Sequence, residues 1–264
     1  MKLDIKGVKE HMNNNIIKNL KYFDSVTSTN ELALEMKSEN IQEGVVIIGG
    51  EQTKGRGRLK RNWHSPQYLG LWFSIIVSPS KDLDRIPLLT LIGALSVHKA
   101  IKNMGIKTDL KWPNDILYNN KKVCGVLSQF RSDGKEIDRV VVGIGLNVNQ
   151  KEFPKELKDT SISLRMIMEK IIKKEKLLAE ILDNFSDFYQ LFQNSEYDEI
   201  INSWKIEMSM LNKQITINTA NGNKMKGKVV DISNKGELII EKLNKERQKF
   251  IAGDVSIDKN SIRF

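Results

Sequence analysis

The spacing of apolar residues changes several times along the 264-residue chain, and each change marks an element. Ser28-Thr29-Asn30-Glu31 ahead of Leu32 and Leu34 forms a capping box that opens a helix to about Lys37. The run Val45-Val46-Ile47-Ile48, between Gly44 and Gly50, reads as a buried strand, and Leu71 to Val77 reads as another. Leu88, Leu91, Ile92, Leu95 and Ile101 recur at helical spacing, which predicts a core-packing helix over 87–104. Strands follow at 108–112, 122–130 and 139–147. Asn119-Asn120 and Asp133-Gly134 read as the hairpin turns between neighbours. Residues 151–160, with Pro154, form a loop. Helical patterning runs over 161–168 and 174–192, with a short helix near 196–204. These elements predict an α+β fold, a mixed β-sheet with helices packed on one face.

From Asn212 the texture changes. Ile215 and Ile217 alternate with polar residues, and Val229-Val230, Leu238-Ile239-Ile240 and Phe250-Ile251 follow. Asn221-Gly222, Lys235-Gly236 and Gly253-Asp254 punctuate them, so this tail predicts a small β-barrel of short strands appended to the main domain. The expected division is a short N-terminal extension over 1–21, a main domain over 22–211 and a β-domain over 212–264. The first twenty or so residues are polar and leave no room for the two packed helices of a DNA-reading helix-turn-helix.

Composition narrows the class. Hydrophobic residues make up 40% and charged residues 28% of the chain, ordinary for a globular protein. The single cysteine, Cys124, excludes an internal disulfide and a multi-cysteine metal site, so a reducing compartment is the default. The N-terminus carries no apolar stretch to serve as a signal peptide, and other apolar runs are only strand-length. A cytoplasmic protein is expected. The net charge of +9 suits phosphates, nucleic acid or an acidic protein partner. Its lysines are scattered among Asn and Glu, which argues for a compositional bias over a nucleic-acid stripe.

The candidate chemistry begins in the loop Glu51 to Trp63. Glycines let its backbone approach a ligand closely, and arginines offer forked, permanently charged donors to carboxylate or phosphate. Gly50 and Gly55 have the spacing of a P-loop, but Arg56-Gly57 stands where Lys and Ser/Thr are required. The segment reads as an anion-binding loop, or equally as a solvated basic loop or one that touches RNA. Lys111-Trp112-Pro113-Asn114-Asp115 lies at a strand end, where Pro113 stiffens the turn. Lys111 and Asp115 either serve a ligand or pair to tie the loop down. Lys122, at the mouth of a buried strand, faces either solvent or a site. Gly143-Ile144-Gly145-Leu146-Asn147 fails the dinucleotide fingerprint, because position 148 is Val and no helix opens there. His11, His64 and His98 have no metal-ligand spacing.

Taken in order, Ser28-Thr29-Asn30, Gln52 through Arg58, Lys111 to Asp115, Lys122-x-x-Gly125 and Gly143-x-Gly145-x-Asn147 resemble the catalytic core of biotin–protein ligases. The tail from Asn212 resembles that family's C-terminal SH3-like domain, and the likeness covers the chain from about Tyr22. It implies a class II synthetase-like core and a monofunctional ligase without the N-terminal DNA-binding domain. It also implies a two-step reaction: biotin attacks the α-phosphate of MgATP to give biotinyl-5′-AMP, and a carrier lysine then takes the biotinyl group.

By the same resemblance Ser28, Thr29, Asn30, Gln52, Gly55, Arg56, Arg58, Lys122 and Gly125 bind biotin. Arg58, Arg61, Trp63, Lys111, Asn114, Asp115, Asn147 and Trp204 bind ATP or the adenylate. Arg58, Lys122 and Asp115 are the catalytic group, with Asp115 also a ligand of Mg2+. The expected cofactors are ATP and Mg2+, with biotin as substrate, and the expected partner is the biotin carboxyl carrier protein of a carboxylase. Neither DNA nor membrane binding is expected, and the assembly is a monomer or a homodimer. A lipoate–protein ligase is the rival of the same fold; a basic nucleic-acid-binding module is the rival of another class. One departure stands out: relatives read Gly-Arg-Gly-Arg-x-Gly-Arg, and Lys60 replaces the third glycine here. If that position requires positive φ, lysine costs about 1–2 kcal/mol there.

Overall fold

The computed structural model describes residues 1–36, 42–79, 83–132, 137–218 and 224–257. The main domain opens with α1 (Ile5–His11), β1 (Asn19–Phe23), α2 (Thr29–Glu35), β2 (Val45–Gly49) and β3 (Leu71–Val77). It continues through α3 (Ile86–Asn103), β4 (Asp109–Lys111), β5 (Asp115–Tyr118), β6 (Lys121–Ser132) and β7 (Ile137–Leu146). Three helices close it: α4 (Leu164–Met168), α5 (Lys174–Gln193) and α6 (Tyr197–Glu207).

Seven strands form one sheet in the order β1-β2-β3-β7-β6-β5-β4. The pair β1–β2 is parallel and joined through α2; every other neighbouring pair is antiparallel, so the sheet is mixed. The predicted turn at Asn119-Asn120 has both residues at positive φ, +48° and +62°, which matches the twist of a two-residue hairpin. The turn expected at Asp133-Gly134 and the one at Asn221-Gly222 lie outside the described residues.

Strand β3 is buried along its whole length because both faces of the sheet are covered. On one face Leu71, Phe73, Ile75 and Val77 join the main core with α3 and α5. On the other, Ile76 packs with Val45, Ile47, Val141 and Ala33 of α2. The expectation of helices on one face therefore holds for the large helices, while α2 lies opposite. Ser28 caps the start of α2 by accepting from Glu31 N–H. The buried Arg139 guanidinium donates to Ala33 and Met36 carbonyls at its end, at 3.2 and 2.7 Å. This short helix is pinned at both ends.

Residues 1–21 pack on the main domain. Val8 of α1 is fully buried in the main core, and Asn19–Phe23 forms the edge strand of the sheet. Among the described residues no helix is long and apolar enough to cross a membrane.

The C-terminal domain holds β8 (Gln214–Asn218), β9 (Lys224–Ile232), β10 (Leu238–Glu241), β11 (Arg247–Phe250) and β12 (Asp254–Ile257). They pair antiparallel in the order β11-β10-β9-β8-β12, as the short alternating runs predict. The domain docks through the turn at Gly236, where φ is +81°. A Cβ there would lie 3.2 Å from Leu88 of α3, and the Gly236 carbonyl accepts from the buried Trp112 Nε1–H at 2.9 Å. The strands thus hang on the turn between β4 and β5, beside the candidate site.

Candidate active site

A pocket of about 220 Å³ opens on the α2 face of the sheet. Its floor is made by glycines. Gly125 of β6 and Gly145 of β7 sit opposite one another in the ladder, and Gly143 lies two residues along. A Cβ on Gly145 would fall 2.3 Å from Trp63 Nε1, and one on Gly143 would fall 2.0 Å from Asn30 Oδ1. Bare backbone is what lets the indole of Trp63 and the amide of Asn30 lie on the strands. The sequence Gly143-x-Gly145 is thus a landing surface rather than a phosphate turn.

One end of the pocket is a network of neutral polar groups. Thr29 N–H and Oγ1–H both donate to Gln52 Oε1, at 2.9 and 3.1 Å. Gln52 Nε2 donates to Ser65 Oγ at 2.9 Å, which fixes the amide's orientation and leaves its second N–H free to serve a ligand. Behind them the buried Ser74 hydroxyl lies 2.7 Å from both Thr29 Oγ1 and Asn30 Oδ1. Asn30 Nδ2 donates to Leu127 O and Gln129 Oε1. Ser65, Ser74 and Gln129 carried no sequence signal: each is an isolated polar residue whose partners lie far away in the chain.

The other end is cationic. Arg56 pairs with Glu31 at 2.5 Å, Arg61 with Asp254 at 2.5 Å, and Lys122 with Asp115 at 2.7 Å. The Lys122 ammonium also stands 5.1 Å from the centre of the Trp63 ring. Arg58 differs, because both its hydrogen-bond acceptors are uncharged: Asn114 Oδ1 at 3.0 Å and Gly253 O at 3.2 Å. Burial lowers the Arg58 guanidinium from its ordinary value, against the pull of Asp254 and Asp115. Asn147 is held over the floor, its Nδ2 donating to Lys122 O and its Oδ1 accepting from Gln150. Phe153 and Leu157 complete an apolar side of the pocket.

Of the residues expected in the site, Ser28, Thr29, Asn30, Gln52, Arg56, Arg58, Arg61, Trp63, Asn114, Asp115, Lys122, Gly125 and Asn147 all line this pocket. Three do not line it. Trp204 is 0% exposed in the core, where its Nε1–H donates to Leu91 O at 2.9 Å. Lys111 is not on the pocket wall, although it stands opposite Asp115 in the β4–β5 ladder. Gly55 lies behind the wall; a Cβ there would meet Trp63 O at 2.5 Å and Ser65 Oγ at 2.8 Å.

The question about Lys60 also resolves. Within Arg58–Lys60 it is Leu59 that adopts the left-handed conformation, with φ +53° and ψ +35°, and its side chain is 61% exposed. That strain costs about 1–3 kcal/mol. The loop closes on itself through Trp63 N–H to Gly55 O, at 2.9 Å, and Gly57 N–H to Arg61 O, at 2.7 Å.

Asp115 and Asp254 are the carboxylates on the wall, and no cluster of three or more His, Cys, Asp or Glu side chains among the described residues is placed to hold a metal. Such a site fits a divalent ion that arrives on a polyphosphate, with phosphate oxygens and water as most of its ligands.

The chain is similar to known proteins over most of its length. Residues 22–147 match the Biotin/lipoate A/B protein ligase family, and residues 210–258 match the Biotin protein ligase C terminal domain. The chain is 35% identical over 239 residues to the bifunctional ligase/repressor BirA of Bacillus subtilis, covering 89% of this chain and 73% of the relative. A biotin–[acetyl-CoA-carboxylase] ligase of Mycobacterium tuberculosis is 24% identical, over 75% and 74% of the two chains. Among solved structures, a biotin protein ligase from Aquifex aeolicus in complex with biotin and ATP superimposes with a TM-score of 0.78. It is 33% identical, with 91% of this chain and 99% of that one covered.

Proposed function

The chain belongs to the biotin protein ligase family and is an enzyme of that class; from that premise we propose that it activates biotin as biotinyl-5′-AMP and passes it to a lysine of a biotin carboxyl carrier protein. What supports this most is the polarity of one pocket: a neutral hydrogen-bonding network at one end, four cations at the other, and a glycine floor between. A molecule with a polar uncharged ring, an apolar middle and a carboxylate matches that gradient.

In this reading Ser28, Thr29 and Gln52 hydrogen-bond the cyclic urea, with Asn30 bracing them from Gln129. Gly125 lets the ligand lie close to β6. Arg56 and Arg58 take the biotin carboxylate and the α-phosphate, for which a guanidinium fork is suited. Two anions must meet in adenylation, so fixed positive charge has to offset their repulsion. Lys122 supplies it by releasing Asp115. Asn114 and Asp115 stand by the nucleotide's phosphates, where Asp115 would be a ligand for a Mg2+ ion that offsets phosphate charge. Arg61 faces the outer phosphates in place of Asp254. Trp63, Phe153 and Asn147 form the slot for the base. In the first step a biotin oxygen attacks the α-phosphorus and pyrophosphate leaves. In the second a carrier amine attacks the acyl carbon and AMP leaves.

The test is ATP–pyrophosphate exchange in the presence of biotin or lipoate, followed by transfer to a purified carrier domain. Exchange that depends on biotin and not lipoate is expected. Exchange with lipoate alone would transfer the assignment to the rival ligase, and no exchange with either would end it.

A further inference from the structure

Ser74 stands in the middle of β3, fully buried, and does not line the pocket. Its hydroxyl oxygen lies 2.7 Å from Thr29 Oγ1 and 2.7 Å from Asn30 Oδ1. Thr29 Oγ1 lies in turn 3.1 Å from Gln52 Oε1. Three oxygen–oxygen contacts therefore share two hydroxyl hydrogens, one from Ser74 and one from Thr29. The two amide oxygens bring none, because each amide is held in one orientation. Asn30 Nδ2 places its two hydrogens on Leu127 O and Gln129 Oε1, at 3.1 and 2.8 Å. Gln52 has to turn Oε1 toward Thr29 N–H, which donates to it at 2.9 Å.

Whichever contacts hold them, both hydrogens stay inside this network. Thr29 has no hydroxyl hydrogen left for a ligand and presents a lone pair. Its neighbours on the pocket wall present the opposite. Gln52 keeps one N–H after serving Ser65 Oγ at 2.9 Å, and Ser28 Oγ accepts from Glu31 N–H at 3.5 Å and keeps its O–H. The neutral end thus offers donors at Ser28 and Gln52 and an acceptor at Thr29. A ring edge that carries an N–H beside a carbonyl complements that pattern. A dithiolane ring has no N–H, so it would leave the Thr29 oxygen desolvated and unpaired, which is how a polar site rejects an analogue.

We propose, resting on the ligase reading above, that Ser74 is a positioning residue for specificity: it fixes the Thr29 hydroxyl as an acceptor, so that the site selects a ligand with an N–H beside a carbonyl. Two hydrogens bridge both 2.7 Å contacts only while Thr29 directs its own inward. Turning it toward a ligand leaves one of those contacts without a hydrogen, two oxygens facing each other in a buried place. Without Ser74 that restraint is gone. Gln52 Oε1 still holds the Thr29 N–H, and the hydroxyl turns either way. Strand β3 pairs with β2 on one side and β7 on the other, which makes the Ser74 hydroxyl a fixed point.

The experiment is a double-mutant cycle on biotin affinity, read by calorimetric titration of the full-length chain: the unsubstituted protein, Ser74→Ala, Thr29→Val and the two together. Thr29→Val keeps the branched shape and removes the hydroxyl. Ser74→Ala is expected to weaken biotin binding roughly threefold to tenfold, the scale of one neutral hydrogen bond, and to weaken it no further in the Thr29→Val background. A fall by the same factor in both backgrounds means that Ser74 acts through packing alone and overturns the proposal, as does native biotin affinity in Ser74→Ala. Circular dichroism checks folding, and Ser74→Cys, a weaker donor, takes the place of Ser74→Ala in the cycle if that variant does not fold. An unsubstituted protein that binds no biotin would instead remove the ligase reading on which the proposal stands.

Discussion

Arg56, Arg61 and Lys122 each face a carboxylate, so an incoming anion gains their charge only by displacing Glu31, Asp254 or Asp115. Arg58 gives up only two neutral acceptors. It is therefore the cation whose charge is most available to a ligand, and Lys122 is the one nearest the glycine floor. Arg58→Ala and Lys122→Ala should each leave a folded protein, by circular dichroism, with adenylation reduced by about 10²–10³-fold. That is the rate equivalent of about 2.7–4 kcal/mol for one lost transition-state donor. Near-normal exchange in both would sink the roles given to them. The glycines make a sharper test, because their neighbours are so close. Gly143→Ala puts a methyl 2.0 Å from Asn30 Oδ1, and overpacking of this kind costs about 1–3 kcal/mol. Biotin affinity by calorimetric titration should fall and the melting temperature should drop. Gly57→Ala should change neither, since its new methyl meets only Arg61 O, at 3.5 Å.

Among the elements, α3 and α6 meet where the chain leaves for the C-terminal domain. His98 of α3 is 3% exposed; its Nδ1 lies 2.9 Å from Thr108 Oγ1 and its Nε2 lies 3.1 Å from Glu207 Oε2, at the end of α6. Lys102 reaches the same carboxylate at 2.6 Å, and Asp109 is also within electrostatic range. Burial outweighs the attraction of Glu207 and holds the His98 imidazole below its ordinary 6.5. The unfolded chain therefore binds this proton at a higher pH than the folded one. The stability linked to His98 is complete above pH 6.5 and declines as pH falls through the folded value. Melting temperatures at pH 7.5 and about 5.5 should differ, and His98→Gln should narrow that difference. An unchanged difference would remove His98 as its source.

At the scale of the whole molecule, the two domains share one site. Trp112 anchors the C-terminal domain through Gly236, Arg58 reaches its Gly253 carbonyl, and Asp254 stands on the pocket wall. Trp112→Phe removes the indole donor and leaves the buried Gly236 carbonyl unpartnered, which costs about 1–3 kcal/mol. For a chain of this size each kcal/mol lowers the melting temperature by about 2–4 °C. Calorimetry should show that loss; an unchanged midpoint would mean that the anchor is elsewhere.

How far the sequence alone reached depended on whether a feature was local. Strand β3 falls on the predicted residues, α3 and α5 lie within a residue or so of prediction, and Asn119-Asn120 makes its hairpin. Periodicity and turn chemistry record how a short segment meets water and its own backbone, so these were legible. The ordered Gly, Arg, Asn and Lys motifs named most of the pocket for the same reason: backbone clearance and fixed charge are properties of single residues. Tertiary packing decided the rest. It put α2 across the sheet from the other helices and drew residues 5–11 and 19–23 into the main domain. It sent Trp204 into the core and left Trp63 and Phe153 as the pocket's aromatics. It also brought Ser74, Gln129 and Asp254 to the site from distant strands. An indole or a hydroxyl has the same local pattern whether it faces core or ligand, and only the crossing of distant elements chooses between them.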